Sequence, residues 1–247
     1  MKKMLLISNS TNFGEAYLGW CTPLIENFLA KTTVKRILFV PYAGINIGSP
    51  KTLTESYDNY EKRVQGVFAA LGYEVYSVHH EANPVAAVEQ AECIMVGGGN
   101  TFHLVYELHR NKLIDPIRQK VENGTPYMGW SAGSNIASPT LCTTNDMPVV
   151  QPESFRCLSL IPFQINPHYL DANPEMDKLI KHGGETRQDR LNEYMAVNKT
   201  MKVVGLREGC ALVADNNRMI LRGGRPMIVF EYGKQPFEIA PLSEVNL

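Results

Sequence analysis

The sequence has no apolar run near the roughly 18 residues that a membrane-spanning helix needs, which argues against an integral membrane protein. Its apolar start, Met4 to Ile7 behind Lys2 and Lys3, is cut short by Ser8, Asn9, Ser10, Thr11 and Asn12. It therefore reads as a first strand rather than a secretory signal. Surplus charge is also missing. With 24 basic and 25 acidic residues there is no electrostatic footprint for nucleic acid or an anionic membrane, so neither is expected as a partner. Cysteine is sparse: Cys21, Cys93, Cys142, Cys157 and Cys210 are odd in number, scattered and never spaced as a pair of metal ligands. They are expected to be reduced thiols in a cytoplasmic protein, with no metal and no cofactor. No internal repeat, low-complexity tract or interdomain linker interrupts the 247 residues, so residues 1–247 are expected to form one domain, either a monomer or a homodimer.

What is present is an ordinary globular composition, 44% hydrophobic and 20% charged, sufficient for a sizeable core. Short apolar runs rich in β-branched residues alternate with amphipathic stretches, the pattern of parallel strands joined by crossover helices. The fold class is therefore α/β, a mostly parallel sheet flanked by helices. Strands are predicted at Lys3 to Ser8, Arg36 to Pro41, Glu74 to Val78, Cys93 to Val96 and Tyr127 to Trp130, all central in one sheet. Tyr57, Tyr60, Val64, Val67, Phe68 and Leu71 recur at helical spacing, and a buried face explains them without any functional role. Helices are predicted over Glu175 to His182 and Glu185 to Met195. Strands follow near Lys202 to Leu206, Ala211 to Ala214, Met219 to Leu221 and Met227 to Tyr232, the last three as a C-terminal antiparallel meander.

Three features carry chemistry. Gly129-Trp130-Ser131-Ala132-Gly133 follows a predicted strand and precedes a predicted helix, Ala132 to Ser138, the context of a nucleophile elbow. A serine hydroxyl needs a base to take its proton. Of six histidines, His79, His80, His103, His109 and His182 read as packing or surface residues. His168 follows a predicted strand, Phe163 to Ile165, and Pro167 stiffens the backbone before it. The Gly97-Gly98-Gly99-Asn100-Thr101 turn also lies between strand and helix. Gly98, Gly99 and the amide of Ala132 are the expected oxyanion site, with Asn100 a substrate contact. Two readings compete, a merely tight turn and a phosphate-binding turn, the latter weakened by Phe102 where a third glycine would stand and by the missing P-loop lysine. Two acids could orient the histidine, Asp146 and Glu208. Glu208 is preferred because it follows a strand and can reach His168 from the sheet's carboxyl edge, leaving Asp146 to position the substrate or the active-site loop.

Together these strings resemble the peptidase E family, the α-aspartyl dipeptidases among serine peptidases. The matching runs are LISNST from Leu6, VGGGNTF from Val96, GWSAG from Gly129, TTNDMP from Thr143, QINPH from Gln164 and GETR from Gly184. The resemblance implies a fold related to class I glutamine amidotransferases, an acyl-enzyme on Ser131, His168 as base and a small Asp-Xaa peptide as substrate. Asp146 or Glu208 would be the third catalytic residue. It also implies that Arg187 holds the substrate's side-chain carboxylate, a role that suits a guanidinium. From the residues alone, Arg187 would instead be a helix-surface partner of Glu185 or Asp189. The stretch from Tyr169 to His182 is longer than the family pattern. Competing readings are an α/β-hydrolase esterase, a cyanophycinase-type peptidase, and a phosphate- or nucleotide-binding regulatory protein. Against the esterase, only 36 residues separate Ser131 from His168.

Overall fold

A computed structural model of the chain describes residues 2–173, 175, 178, 185–216 and 218–247. The apolar runs form β1 (Lys3–Ile7), β2 (Arg36–Val40), β3 (Glu74–Ser77), β4 (Ile94–Val96) and β5 (Tyr127–Trp130). These five pair in parallel, and β8 (Cys210–Asp215) and β9 (Arg218–Gly223) add an antiparallel flank through β1. The resulting order is β3, β2, β4, β5, β1, β8, β9. Side chains alternate between the two faces of a strand, and both faces of β1 are covered: Met4 and Leu6 enter one apolar cluster, Leu5 and Ile7 the other.

The helices are α1 (Thr22–Ala30), α2 (Leu53–Ala70), α3 (Pro84–Gln90), α4 (Thr101–Arg110), α5 (Ile114–Glu122), α6 (Ala132–Asn135) and α7 (Arg187–Val197). Thr52 caps α2 by accepting the Glu55 amide, and Tyr60, Val64 and Phe68 bury the predicted stripe against Leu5, Ile37 and Phe39. A second, four-stranded sheet contains β6 (Gln164–Tyr169), β7 (Val203–Arg207), β10 (Met227–Phe230) and β11 (Phe237–Ile239), in the order β11, β10, β7, β6. Among the described residues no helix is long and apolar enough to cross a membrane.

The architecture is the mixed α/β arrangement expected, with four local corrections. β3 is an edge strand, since β2 alone pairs with it. The C-terminal strands do not form one meander: β8 and β9 pair as a hairpin, while β10 joins β7 and β11 in the second sheet. α6 ends at Asn135 rather than Ser138, because Ala137 and Ser138 donate back to Ser134 and Asn135 in tighter turns. His168 lies inside β6, not after it. The helix predicted over 175–182, with His182 and Gly184, lies largely outside the described residues.

Candidate active site

Three segments meet where the two sheets touch. At the end of β5 the chain turns so tightly into α6 that Ser131 takes φ 53° and ψ −113°, a conformation that costs a side-chain-bearing residue energy. The Ser131 amide donates to the Ile7 carbonyl, and the Ser131 carbonyl accepts from Ser134 and Asn135, which locks the turn. Only glycine fits at 133, where an added Cβ would lie 2.2 Å from the Val96 carbonyl oxygen. The strain and the close approach together project Ser131 at the carboxyl edge of the sheet, as the elbow motif requires.

His168 is placed by a bulge. The β6–β7 register shifts between Pro167 and Tyr169, and His168 adopts a left-handed φ of 51°. Its amide donates to the Ser8 hydroxyl at 2.9 Å, and that hydroxyl donates to the Leu206 carbonyl at 2.7 Å. The buried Ser8 thus ties the end of β1 to both β6 and β7. Asn9 accepts the Gly209 amide at 2.8 Å, fixing the turn that presents Glu208. The outcome is a continuous relay: Ser131 Oγ lies 2.9 Å from His168 Nε2, and His168 Nδ1 lies 2.6 Å from Glu208 Oε1. One imidazole nitrogen is left to receive the serine proton while the other is held by a carboxylate.

The Gly97–Thr101 turn faces the serine. An added Cβ on Gly98 would come 2.8 Å from Ser131 Cβ, so this backbone lies directly beside the nucleophile. The turn is held from below by Tyr60, whose hydroxyl donates to the Gly98 carbonyl and accepts from the Trp130 indole, both at 2.9 Å. Burial raises the Tyr60 pKa, keeping the phenol a neutral donor. A cleft of about 490 Å³ opens over these groups. Its lining includes Ser131, His168, Gly98, Gly99, Asp146 and Arg187.

The family model described as Peptidase family S51 matches residues 4–222. The chain belongs to that family. It is 45% identical to peptidase E of Nostoc sp. over 240 residues, covering 97% of this chain and 93% of the relative. It is 44% identical to peptidase E of Haemophilus influenzae over 230 residues, covering 93% of each. The solved structure of a peptidase from an acI-B1 actinobacterium shares the fold at a TM-score of 0.67, 16% identity, and coverage of 100% of this chain and 97% of that one. Family S51 membership sets aside the esterase and binding-protein readings.

Within this S51 site the two acids part. Glu208 meets His168, whereas Asp146 Oδ2 accepts from the Thr101 amide at 2.7 Å, the Thr101 hydroxyl at 2.6 Å and the Thr144 hydroxyl at 3.0 Å. Asp146 therefore fastens the Thr143–Pro148 loop to the amino terminus of α4, where a carboxylate is favoured. Asn100, expected at the substrate, does not line the cleft: its side chain accepts from the His103 amide, capping α4, and donates to the Met147 carbonyl. Its work is to hold the turn.

Arg187, first residue of α7, is half-buried and forms no ion pair among the described residues. Its two expected surface partners are engaged elsewhere: Asp189 closes a capping box with Thr186, and Glu185 pairs with Arg190 at 3.5 Å. Burial first, and Arg190 second, lower its pKa, while Tyr169 and the Asp146 carboxylate pull it back up. It remains a cation at neutral pH.

Among the lining residues to which the sequence reading gave no functional weight are Tyr60 and Arg63. Both sit on α2, which was read as a packing helix. The available signal was the tyrosine hydroxyl within an apolar stripe, which needs a buried partner. Arg63 lies 5.6 Å from the Tyr17 ring centroid and has no ion pair among the described residues.

Proposed function

We propose that this S51 serine peptidase is a dipeptidase that cleaves after an amino-terminal aspartate, with Ser131 as nucleophile, His168 as base and Glu208 as the acid that orients it. The observation that carries the reading is the Ser131–His168–Glu208 relay opening onto a cleft lined by Arg187, which has no ion pair among the described residues. Ser131 Oγ attacks the scissile carbonyl and gives its proton to His168 Nε2, while Glu208 stabilises the imidazolium. The backbone amides of Gly98, Gly99 and Ala132 receive the developing oxyanion, a reading supported by the close approach of Gly98 to Ser131. His168 then protonates the leaving amine as the carbon–nitrogen bond breaks, and water, deprotonated by the same ring, releases aspartate from Ser131.

Arg187 pairs with the aspartyl side-chain carboxylate, a contact that an asparagine substrate would lack. An Asp-Xaa dipeptide carries a second carboxylate at its carboxyl terminus, and Arg63 offers a second guanidinium in the same cleft. Two cations for two carboxylates favour a dipeptide over a longer chain. The five free cysteines, four of them buried, fit a cytoplasmic protein.

Ser131→Ala tests the core of this reading. It should leave a folded protein with turnover on Asp-Xaa dipeptides at least about a thousandfold lower, since only binding and oxyanion stabilisation remain. Retained turnover would overturn the mechanism.

A further inference from the structure

Away from the cleft, at the end of the edge strand β3, two histidines face two carboxylates. Asp58 and Glu61 stand one turn apart on α2, while His79 and His80 lie in the 3₁₀ turn Val78–His80 that follows β3. One ligand atom from each of the four lies within 4.8 Å of all the others. His79 Nε2 is 3.1 Å from Asp58 Oδ1, and His80 Nε2 is 3.2 Å from Asp58 Oδ1 and 3.0 Å from Glu61 Oε2. Four ligands at zinc bond lengths of 2.0–2.2 Å in a tetrahedron stand about 3.3 Å apart, so the spacing suits a shared ion.

Two of the four groups are held inside the protein rather than on a solvated surface: the His79 side chain is 6% exposed and that of Glu61 11%. Outer-shell contacts of the kind that orient metal ligands are also in place: Ser77 on His79, and Gln65, which donates to Glu61 Oε1 at 3.1 Å and to the Val75 carbonyl at 3.0 Å.

The geometry points to a structural site for a divalent transition-metal ion, zinc being the best match to two imidazoles and two carboxylates, held by Asp58, Glu61, His79 and His80. None of the four lines the catalytic cleft. The ion would pin α2 to the end of β3, and Tyr60, which supports the Gly98 turn, lies between the two α2 ligands. The site thus braces the Gly98 turn without entering the chemistry, and it gives His79 and His80 a role where the sequence alone suggests surface or packing residues.

The test uses untagged full-length protein stripped with a chelator. Cys142, the exposed thiol, is replaced by serine to remove a competing ligand. Equilibrium dialysis against micromolar zinc with metal analysis should give one ion per chain. Cobalt should produce the visible bands of tetrahedral coordination, and the melting temperature should rise with zinc concentration. Asp58→Asn and Glu61→Gln preserve shape while removing ligand charge, and His80→Gln alters an exposed ring. Each should weaken zinc binding at least tenfold. Substoichiometric binding by the parent protein, or undiminished binding by these variants, would overturn the proposal and leave a hydrogen-bonded cluster.

Discussion

Replacing Glu208 with glutamine isolates the charge behind His168. Glu208 Oε1 accepts from His168 Nδ1 at 2.6 Å, in the range of a charge-assisted bond. In Glu208→Gln the amide oxygen can still accept that proton, so the imidazole keeps its tautomer and Nε2 still faces Ser131. What is lost is the negative charge that stabilises the imidazolium formed during attack. The side chains of His168 and Glu208 are 38% and 52% exposed, so water screens part of the effect. A hydrogen bond to a charged group is worth roughly 1.5–3 kcal/mol, and with this screening the lower part of that range applies, about 13- to 30-fold in rate. Turnover on an aspartyl dipeptide should fall by that factor, with little change in KM. Asp146→Asn is the control. It removes charge from the α4 cap and should lower thermal stability and raise KM more than it lowers turnover. If Glu208→Gln keeps full turnover while Asp146→Asn loses it on every substrate, the assignment is wrong and Asp146 serves the histidine.

Arg187→Met should lower kcat/KM for Asp-Xaa by about a hundredfold through loss of a bidentate charge-assisted pair, and leave Asn-Xaa nearly untouched. An unchanged Asp-to-Asn ratio would mean that another cation, with Arg63 the first to try, reads the side chain. Gly133→Ala forces a methyl against the Val96 carbonyl, which is backbone and cannot step aside. It should cost more than about 3 kcal/mol, read as a lost or strongly lowered melting transition, and a wild-type melt would refute the packing argument. Asp171 is held below its ordinary pKa chiefly by hydrogen bonds from Arg207, whose buried side chain also reaches Glu238. A depressed carboxylate adds stability above its unfolded pKa and loses it as pH falls through its folded one. The stability gap between the parent and Asp171→Asn should therefore be steady above about pH 5 and close below about pH 4. Partial exposure keeps it near 1 kcal/mol or less. A gap that widens on acidification would contradict the sign.

Local chemistry was enough to read most strands and the strand-to-helix turn at Ser131. Gly129 to Gly133 announces its turn because close packing tolerates no side chain there, and the alternation of apolar runs with helical spacings announces an α/β sheet because both faces must be covered. Such signals live within a few residues of one another. The remaining facts depend on residues far apart in the chain. Whether β10 extends a meander or crosses to a second sheet depends on which edge is free when β7 arrives, and propensity is silent on that. His168 and Glu208 are 40 residues apart and meet because Ser8 and Asn9, at the end of β1, hydrogen-bond to the backbone beside both. Sequence position only inclines the choice towards Glu208 over Asp146, and it is the capping of α4 by one and the contact with the imidazole by the other that separate them. Tyr60 reads as core until its hydroxyl is seen under Gly98. The sequence by itself determined the fold class and the strand-turn-helix context of Ser131, since both are encoded in local patterns. The tertiary structure alone decided which acid touches His168, that Arg187 has no ion pair among the described residues and where two histidines meet two carboxylates, because those depend on distances across the fold.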